Sequence, residues 1–328
     1  MTERPIQRVL LTGGAGFIGS HVAEALLRQG VQLTVLDSLD SFYSKERKRA
    51  NLRQVRKSGA FELVEGDICD VAAVEATVQK AQPECIVHLA ARAGVRPSIE
   101  QPALYERVNI AGTMNLLEAA QRFRVKRFVF GSSSSVYGET GNVPFQESEA
   151  QMRPISPYAA TKLAGELMCY TYAHLFALSC VCLRFFTVFG PRQRPDLAIH
   201  KFTALMEAGK PIPVFGDGST GRDYTYVGDI AAGVLAAMEY EPAGKPAFEI
   251  VNLGNSHPVR LCELIEQLEI ATGKRAIRDQ QPAQPGDVPL TWADIGKARR
   301  LLGYAPGTTL AQGLERFVAW YRAQESEA

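Results

Sequence analysis

Tyr158 and Lys162 stand four residues apart, and on a helix that spacing puts a phenol and an ammonium on one face, one turn apart. A cation beside a phenol favours the phenolate and draws its pKa toward neutrality. A phenolate near neutral pH takes a proton from a sugar or alcohol hydroxyl. Upstream lie four consecutive serines, Ser132 to Ser135, whose hydroxyls are candidates to bond the same oxygen. Taken alone, such a pair describes any solvated helix face. The elements that would position it decide the matter.

Arg8 to Thr12 is a short apolar strand that runs into Gly13-Gly14-Ala15-Gly16-Phe17-Ile18-Gly19, and a helical pattern follows through Val22, Ala25 and Leu26. In such a strand–loop–helix unit Gly13 permits the turn, Gly16 a close approach to a pyrophosphate, and Gly19 close helix packing. The helix N-terminus, with Phe17 and Ile18, then faces the phosphates. The second strand ends on Asp37, which is expected to hold the adenosine ribose hydroxyls and to repel a 2′-phosphate, so that NAD is favoured over NADP. The other reading of Asp37 is a loop or capping residue. The strand Phe61–Glu65 delivers Asp67 and Ile68, an acceptor and an apolar wall for adenine. The strand Cys85–Leu89 breaks into Ala90, Ala91 and the run to Arg96, and Pro102 to Phe123 reads as one long helix. Arg127 to Phe130 is the strand that delivers the serines. This alternation implies an α/β fold with a doubly wound parallel (Rossmann) sheet. Ligands of such sheets bind outside the carboxyl ends of the strands, where all these residues fall. The basic run Lys45 to Arg49 fits a solvated helix surface, with Ala50, Leu52 and Val55 as its buried stripe.

The chain of 328 residues is 46% hydrophobic and 22% charged with a net charge of +1, so no bulk field recruits nucleic acid or an anionic membrane. Six cysteines form no Cys-x-x-Cys pair and read as buried free thiols of a reducing, cytoplasmic compartment. Five scattered histidines show no metal-ligand spacing, and no signal peptide or membrane-length apolar run is evident. The expected organisation is a nucleotide-binding domain over 1–180, with returning segments near 223–255, and a smaller, discontinuous substrate domain within 181–328.

The chain resembles the extended short-chain dehydrogenase/reductase family. The resemblance rests on the glycine loop Thr12 to Gly19, Gly66-Asp67-Ile68, His88-Leu89-Ala90-Ala91, Asn109 with Gly112, Thr113 and Asn115, Ser133, and Tyr158-x-x-x-Lys162. Within that family it most resembles the UDP-glucuronate 4-epimerases, through Ala91 to Arg96, Leu183 to Pro191, Arg194-Pro195-Asp196 and Gln284 to Pro289. The resemblance implies a tightly bound NAD that is regenerated each turnover. Lys162 would bind the nicotinamide ribose and acidify Tyr158. Tyr158, assisted by Ser133, would take the proton from the sugar hydroxyl at carbon 4. Hydride would pass from carbon 4 to the nicotinamide and return to the other face of a transient 4-keto sugar. The 4,6-dehydratases of the family carry an acid pair after the equivalent of Ser133, and the UDP-glucuronate decarboxylases a carboxylate. Here Ser134 and Ser135 follow, which argues for epimerisation.

A 4-keto glucuronate is a β-keto acid, so its carboxylate must be held out of line with the carbonyl π system. Ser133, Ser134, Ser135 and Thr187 are candidates to hold it; galactose epimerases usually carry Asn at the position of Thr187. For the UDP group, Arg194, Arg222 and possible help from Arg192 supply cations, Val95 and Arg96 line the sugar side, Val214 and Phe215 flank uracil, and Asp287 accepts from ribose. Gln284 stands where galactose epimerases usually place an Arg, which shifts that role toward Arg192 or Arg194, and Thr291 where they often place a Tyr. Family helices equivalent to those from Pro102 and Tyr158 pair across a two-fold axis, so a homodimer is expected. Alternatives are a UDP-glucose or UDP-N-acetylglucosamine 4-epimerase, a UDP-glucuronate decarboxylase, and a catalytically silent NAD-binding regulator.

Overall fold

Three strand–helix units open the fold: β1 (Arg8–Thr12), α1 (Phe17–Arg28), β2 (Gln32–Asp37), α2 (Lys45–Arg56), β3 (Glu62–Glu65) and α3 (Val71–Ala81). The structure is a computed structural model that describes residues 5–139, 141–149, 152–282 and 288–326. β4 (Cys85–His88) leads through α4 (Val95–Glu100), α5 (Pro102–Glu106) and α6 (Gly112–Arg122) to β5 (Arg127–Ser133), α7 (Pro157–Phe176) and β6 (Ser179–Phe185). Beyond it come β7 (Thr187–Phe189), α8 (Ala198–Glu207), β8 (Ile212–Phe215), β9 (Gly221–Tyr226), α9 (Val227–Glu239) and β10 (Phe248–Leu253). The chain ends with β11 (Pro258–Arg260), α10 (Leu261–Thr272), β12 (Arg278–Gln281), α11 (Gly296–Leu302) and α12 (Leu310–Ser326).

Seven strands form one parallel sheet in the order β10-β6-β5-β4-β1-β2-β3. Both faces are covered, so the strands are apolar throughout rather than alternating. The period of two persists in where the side chains go: Val9 and Leu11 join the core beneath α1 and α9, and Leu10 joins the core beneath α3, α6 and α7. The order reverses between β1 and β4, and a cleft opens at that switch point.

After β6 the chain builds a smaller layer from β11-β9-β7 and the pair β12-β8, with α8, α10 and α12 packed on a separate core that includes Phe202, Leu264 and Phe317. The chain then returns to the large sheet: α9 packs on α1, and β10 joins its edge beside β6. Among the described residues, no helix is long and apolar enough to cross a membrane.

The segment expected as one helix from Pro102 to Phe123 is instead α5 and α6 joined by a π-helical turn at Arg107–Ala111. The wide turn carries Asn109, which is buried and bonds three ways. Its Oδ1 accepts from Arg92 N (2.8 Å), and its Nδ2 donates to Arg92 O and Thr161 Oγ1 (both 3.0 Å). One amide therefore ties the loop after β4 to α7. Insertions of this kind recur at functional sites.

Candidate active site

A cleft of about 250 Å³ runs along the carboxyl ends of the sheet, from Asp67 to Tyr158. Gly13, Gly16, Phe17, Ile18, Gly19, Asp37, Asp67, Ile68, Leu89, Ala90, Ala91, Tyr158 and Lys162 all line it. These are the thirteen residues expected from the sequence to meet a dinucleotide. Sequence reasoning missed others that share the wall, including Phe42, Tyr43, Lys48, Arg92 and Arg107.

The glycine loop is required by close approaches of the protein's own backbone. Gly13 has φ +74°, and a Cβ there would lie 2.7 Å from Ala90 N. A Cβ on Gly19 would lie 2.1 Å from Gly13 O, so this glycine fits α1 against the loop itself. No side chain caps α1, and its first turn, open to the cleft, offers backbone N–H groups and a positive dipole end to phosphates.

Asp37 does the work of a loop-capping residue and also borders the cleft. Its Oδ2 accepts from Ala15 N (2.9 Å) and its Oδ1 from Leu39 N (2.8 Å), and the same carboxylate borders the cleft. Each carboxylate oxygen has a further lone pair for a ribose hydroxyl. Lys48 corrects the reading of the basic run as a solvated surface. It is 7% exposed, its ammonium lies 5.1 Å from the centre of the Tyr43 ring, and it lines the cleft near Asp37 and Asp40. Burial lowers its pKa, and Asp37 and Asp40 oppose that.

His88 anchors the floor. Thr113 Oγ1 donates to Asn109 O (2.6 Å), so it accepts from His88 Nε2 (2.9 Å), and Nδ1 in turn accepts from Thr12 Oγ1 (2.8 Å). Burial pushes the imidazole pKa down to about 3, so this neutral tautomer persists at all working pH.

At the far end, Ser133 finishes β5 in extended backbone, and its Oγ accepts from Ser135 N (3.2 Å) and pairs with Ser135 Oγ (3.1 Å). Ser134 to Tyr137 form a short 3-10 turn. α7 begins with Ser156 as N-cap and Pro157 in its first turn, which sets Tyr158 at the helix mouth. Lys162 is buried and donates to Gly131 O (2.6 Å). The expected depression of the Tyr158 pKa is not what the packed site shows. Burial raises it, and the Ser133 hydrogen bond and the Arg194 charge oppose that. Burial likewise draws Lys162 down to about 8 against the field of Glu166. Desolvation by the sheet outweighs the neighbouring cation.

The substrate candidates spread beyond the cleft. Arg194 lines it and makes a bidentate pair with Asp196 (2.7 and 3.0 Å). Its guanidinium lies 5.2 Å from the Phe42 ring centre, while Arg92, paired with Asp40 (2.9 Å), lies 5.6 Å from the same ring. Arg192 is turned away at φ +66° into a buried bidentate pair with Glu24 of α1 (2.7 and 3.0 Å), so that of these two cations Arg194 is the one in the cleft lining. Val95 and Arg96 open α4, and Arg96 lies 5.5 Å from the Phe215 ring centre. Val214 is buried in the small core and does not flank an open wall as expected; Phe215, next along β8, is partly exposed. Thr187 starts β7 opposite Tyr224. Arg222 lies on β9 with Nη1 donating to Gly221 O (2.8 Å), away from the cleft lining. Thr291 is buried and donates through its backbone N–H to Gly221 O, with its hydroxyl accepting from Asp223 N. Asp287 and Gln284 lie outside the described residues.

The family profile described as GDP-mannose 4,6 dehydratase matches residues 10–317. The chain belongs to the NAD-dependent epimerase/dehydratase family of extended short-chain dehydrogenases/reductases. Within this family it is 42% identical to a UDP-glucuronate 4-epimerase of Thermodesulfobacterium geofontis over 95% of both chains. Its structure is similar to that of the UDP-glucuronic acid 4-epimerase of Bacillus cereus in complex with UDP-glucuronic acid and NAD, with TM-score 0.89 and 36% identity over 96% of this chain and 99% of that one. The UDP-glucose 4-epimerase of Thermotoga maritima with UDP-glucose follows at TM-score 0.88 and 34% identity over 97% and 99%. The epimerase/dehydratase fold is thus the frame for every residue of the cleft.

Proposed function

We propose that this protein is a UDP-sugar 4-epimerase that interconverts UDP-glucuronate and UDP-galacturonate. The observation that carries the reading is a dinucleotide cleft ending on Tyr158 and Lys162, against a serine turn in which no acid follows Ser133. When bound, NAD supplies the capacity to accept hydride from carbon 4 and give it back. Gly13 to Gly19 cradle its diphosphate, Asp37 takes the adenosine ribose, and Asp67 and Ile68 border adenine. Lys48 and Arg92 add two cations to the cleft wall.

Tyr158 takes the carbon-4 hydroxyl proton and returns it after the sugar has presented its other face. Ser133 shares that proton's path through its hydrogen bond with the phenol. Lys162, fixed on Gly131 O, lends its charge to the same end of the cleft. Ser134, Ser135 and Thr187 hold the sugar carboxylate by hydroxyl donation, which supplies no acid for elimination. Arg194 serves the charged part of the nucleotide sugar, with Arg222, Arg96, Phe215 and Asp287 as outer contacts.

The division into a nucleotide part over 1–180, with returning segments near 223–255, and a UDP-sugar part over most of 181–328 is part of this reading. So is a homodimer: Leu167 and Tyr170, on one face of α7, are 61% and 46% exposed, and Ile99 of α4 is 59% exposed.

A second reading, UDP-glucose or UDP-N-acetylglucosamine 4-epimerase, is favoured by the similarity to the Thermotoga enzyme, nearly as high as to the Bacillus one. Incubation of the purified protein with each of the three UDP-sugars, without added NAD, and product analysis by NMR separates them. UDP-galacturonate from UDP-glucuronate supports the first reading. Conversion of UDP-glucose alone replaces it with the second, and UDP-xylose makes the protein a decarboxylase.

A further inference from the structure

Glu166 follows Lys162 by four residues and Tyr158 by eight, so the three side chains share one face of α7. The reaction as described makes no use of it, yet it is 2% exposed and fully engaged. Its Oε1 accepts from Ser132 Oγ (2.6 Å) and Arg184 Nε (2.9 Å), and its Oε2 accepts from Arg184 Nη2 (2.7 Å). Ser132 and Arg184 are register partners on β5 and β6. Lys162 meanwhile grips Gly131 O. α7 thus holds β5 at two consecutive residues, immediately before Ser133.

The network also reaches the far side of the serine turn. The Arg184 guanidinium lies 4.7 Å from the ring centre of Tyr137, the residue that closes the turn. Tyr137 in turn donates to Asn252 Oδ1 (2.7 Å). A buried ion pair is a poor way to gain stability, because two apolar residues of the same volume pack as well. What apolar residues cannot do is hold a serine hydroxyl and impose a field.

We propose that Glu166 is a positioning residue for this site: one carboxylate that locks α7, Ser132 and Arg184 in the register where Ser133, Tyr158 and Lys162 converge. This rests on the epimerase reading for what those three residues do. The charged and titratable groups around Lys162 and Glu166 are Tyr158 and Cys169 on α7, Cys182 and Arg184 on β6, His88 on β4, and Tyr137 in the turn. Among the described residues, Glu166 is the carboxylate whose field acts on Lys162, while Glu147 acts on Tyr137. The Glu166 field favours the cationic form of Lys162, while burial favours the neutral one.

Three variants test it: Glu166→Gln, the neutral pair Glu166→Gln/Arg184→Met, and Ser132→Ala, which removes one hydrogen bond from the hub. In Ser132→Ala, kcat falls on the order of tenfold while KM changes little, as expected when a reacting group is slightly misplaced. In Glu166→Gln the alkaline limb of the kcat profile moves to lower pH by about one unit, and in the neutral pair, where the Arg184 cation goes with the carboxylate, it moves less. The Lys162 resonance of lysine-labelled holoenzyme, assigned with Lys162→Arg, titrates earlier by the same amount in each. That NMR readout uses no sugar, so an inactive wild type would refute the epimerase reading without touching the result for Glu166. A wild-type kcat in Ser132→Ala, a superimposable pH profile and lysine titration in Glu166→Gln, or failure of both Glu166 variants to fold each overturns the proposal.

Discussion

Gly19→Ala strikes the cofactor cradle at its tightest backbone contact. The new methyl would lie 2.1 Å from Gly13 O, where ordinary contact begins at 3.4 Å. The obstacle is a backbone carbonyl that itself accepts from Gly16 N (3.0 Å), so no side chain can swing aside. Either the loop or the N-terminus of α1 has to move by about 1.3 Å. α1 is held behind by α9 and α2, so the loop yields. A shift of about 1 Å in positioning groups costs on the order of a hundredfold. That corresponds to about 3 kcal/mol of NAD affinity. The assay is the NAD released by denaturing purified protein, with the dissociation constant from titration of the stripped chain. Retention of a full complement of NAD at wild-type affinity would refute the argument that this loop cradles the diphosphate.

Other consequences follow from the same geometry. Tyr158→Phe keeps the ring packed edge-on against Tyr105 but removes the proton carrier, so kcat falls on the order of 10³-fold while NAD stays bound, checked by turnover and cofactor content. Arg192→Ala leaves Glu24 only its longer pair with exposed Arg28 (3.6 Å) and lowers stability by about 2 kcal/mol in denaturant unfolding, with the KM for UDP-sugar little changed in the folded fraction. His21 and His88 are held down to about 3 and His200 to about 4, chiefly by burial. Their folded pKa values lie below the unfolded value, so the stability they contribute is complete above pH 6.5 and is lost as pH falls below it. Melting is therefore lower at pH 5 than at pH 7, and a profile flat across that interval would contradict these burials.

Local patterns carried the nucleotide half. Gly13 to Gly19, Asp37, Asp67 and Ala90 each sit where a strand ends, and strand–loop–helix units announce those places in the sequence. What escaped reading depends on contacts between distant segments. Lys48 belongs to a basic run that looks solvated, and only the fold lays its stem against Tyr43 inside the cleft. Arg192 and Arg194 are two residues apart, and a left-handed backbone at Arg192 sends one to Glu24 and leaves the other in the cleft. The π turn at Asn109 interrupts a sequence with ordinary helical spacing, because the amide gains three tertiary hydrogen bonds. The Tyr158 pKa was read from its neighbour in sequence, but burial by the sheet sets its direction. Glu166 was invisible as a hub because its partners come from β5 and β6.

In the proposed reaction hydride leaves carbon 4 of the sugar and returns to the same atom from the other side, with Tyr158 carrying the proton. UDP-glucuronate deuterated at carbon 4, incubated with the purified protein and no added NAD, tests it directly by NMR. The expected product is UDP-galacturonate that retains deuterium at carbon 4. Exchange of that deuterium for solvent hydrogen, UDP-xylose as product, or unchanged substrate would contradict it.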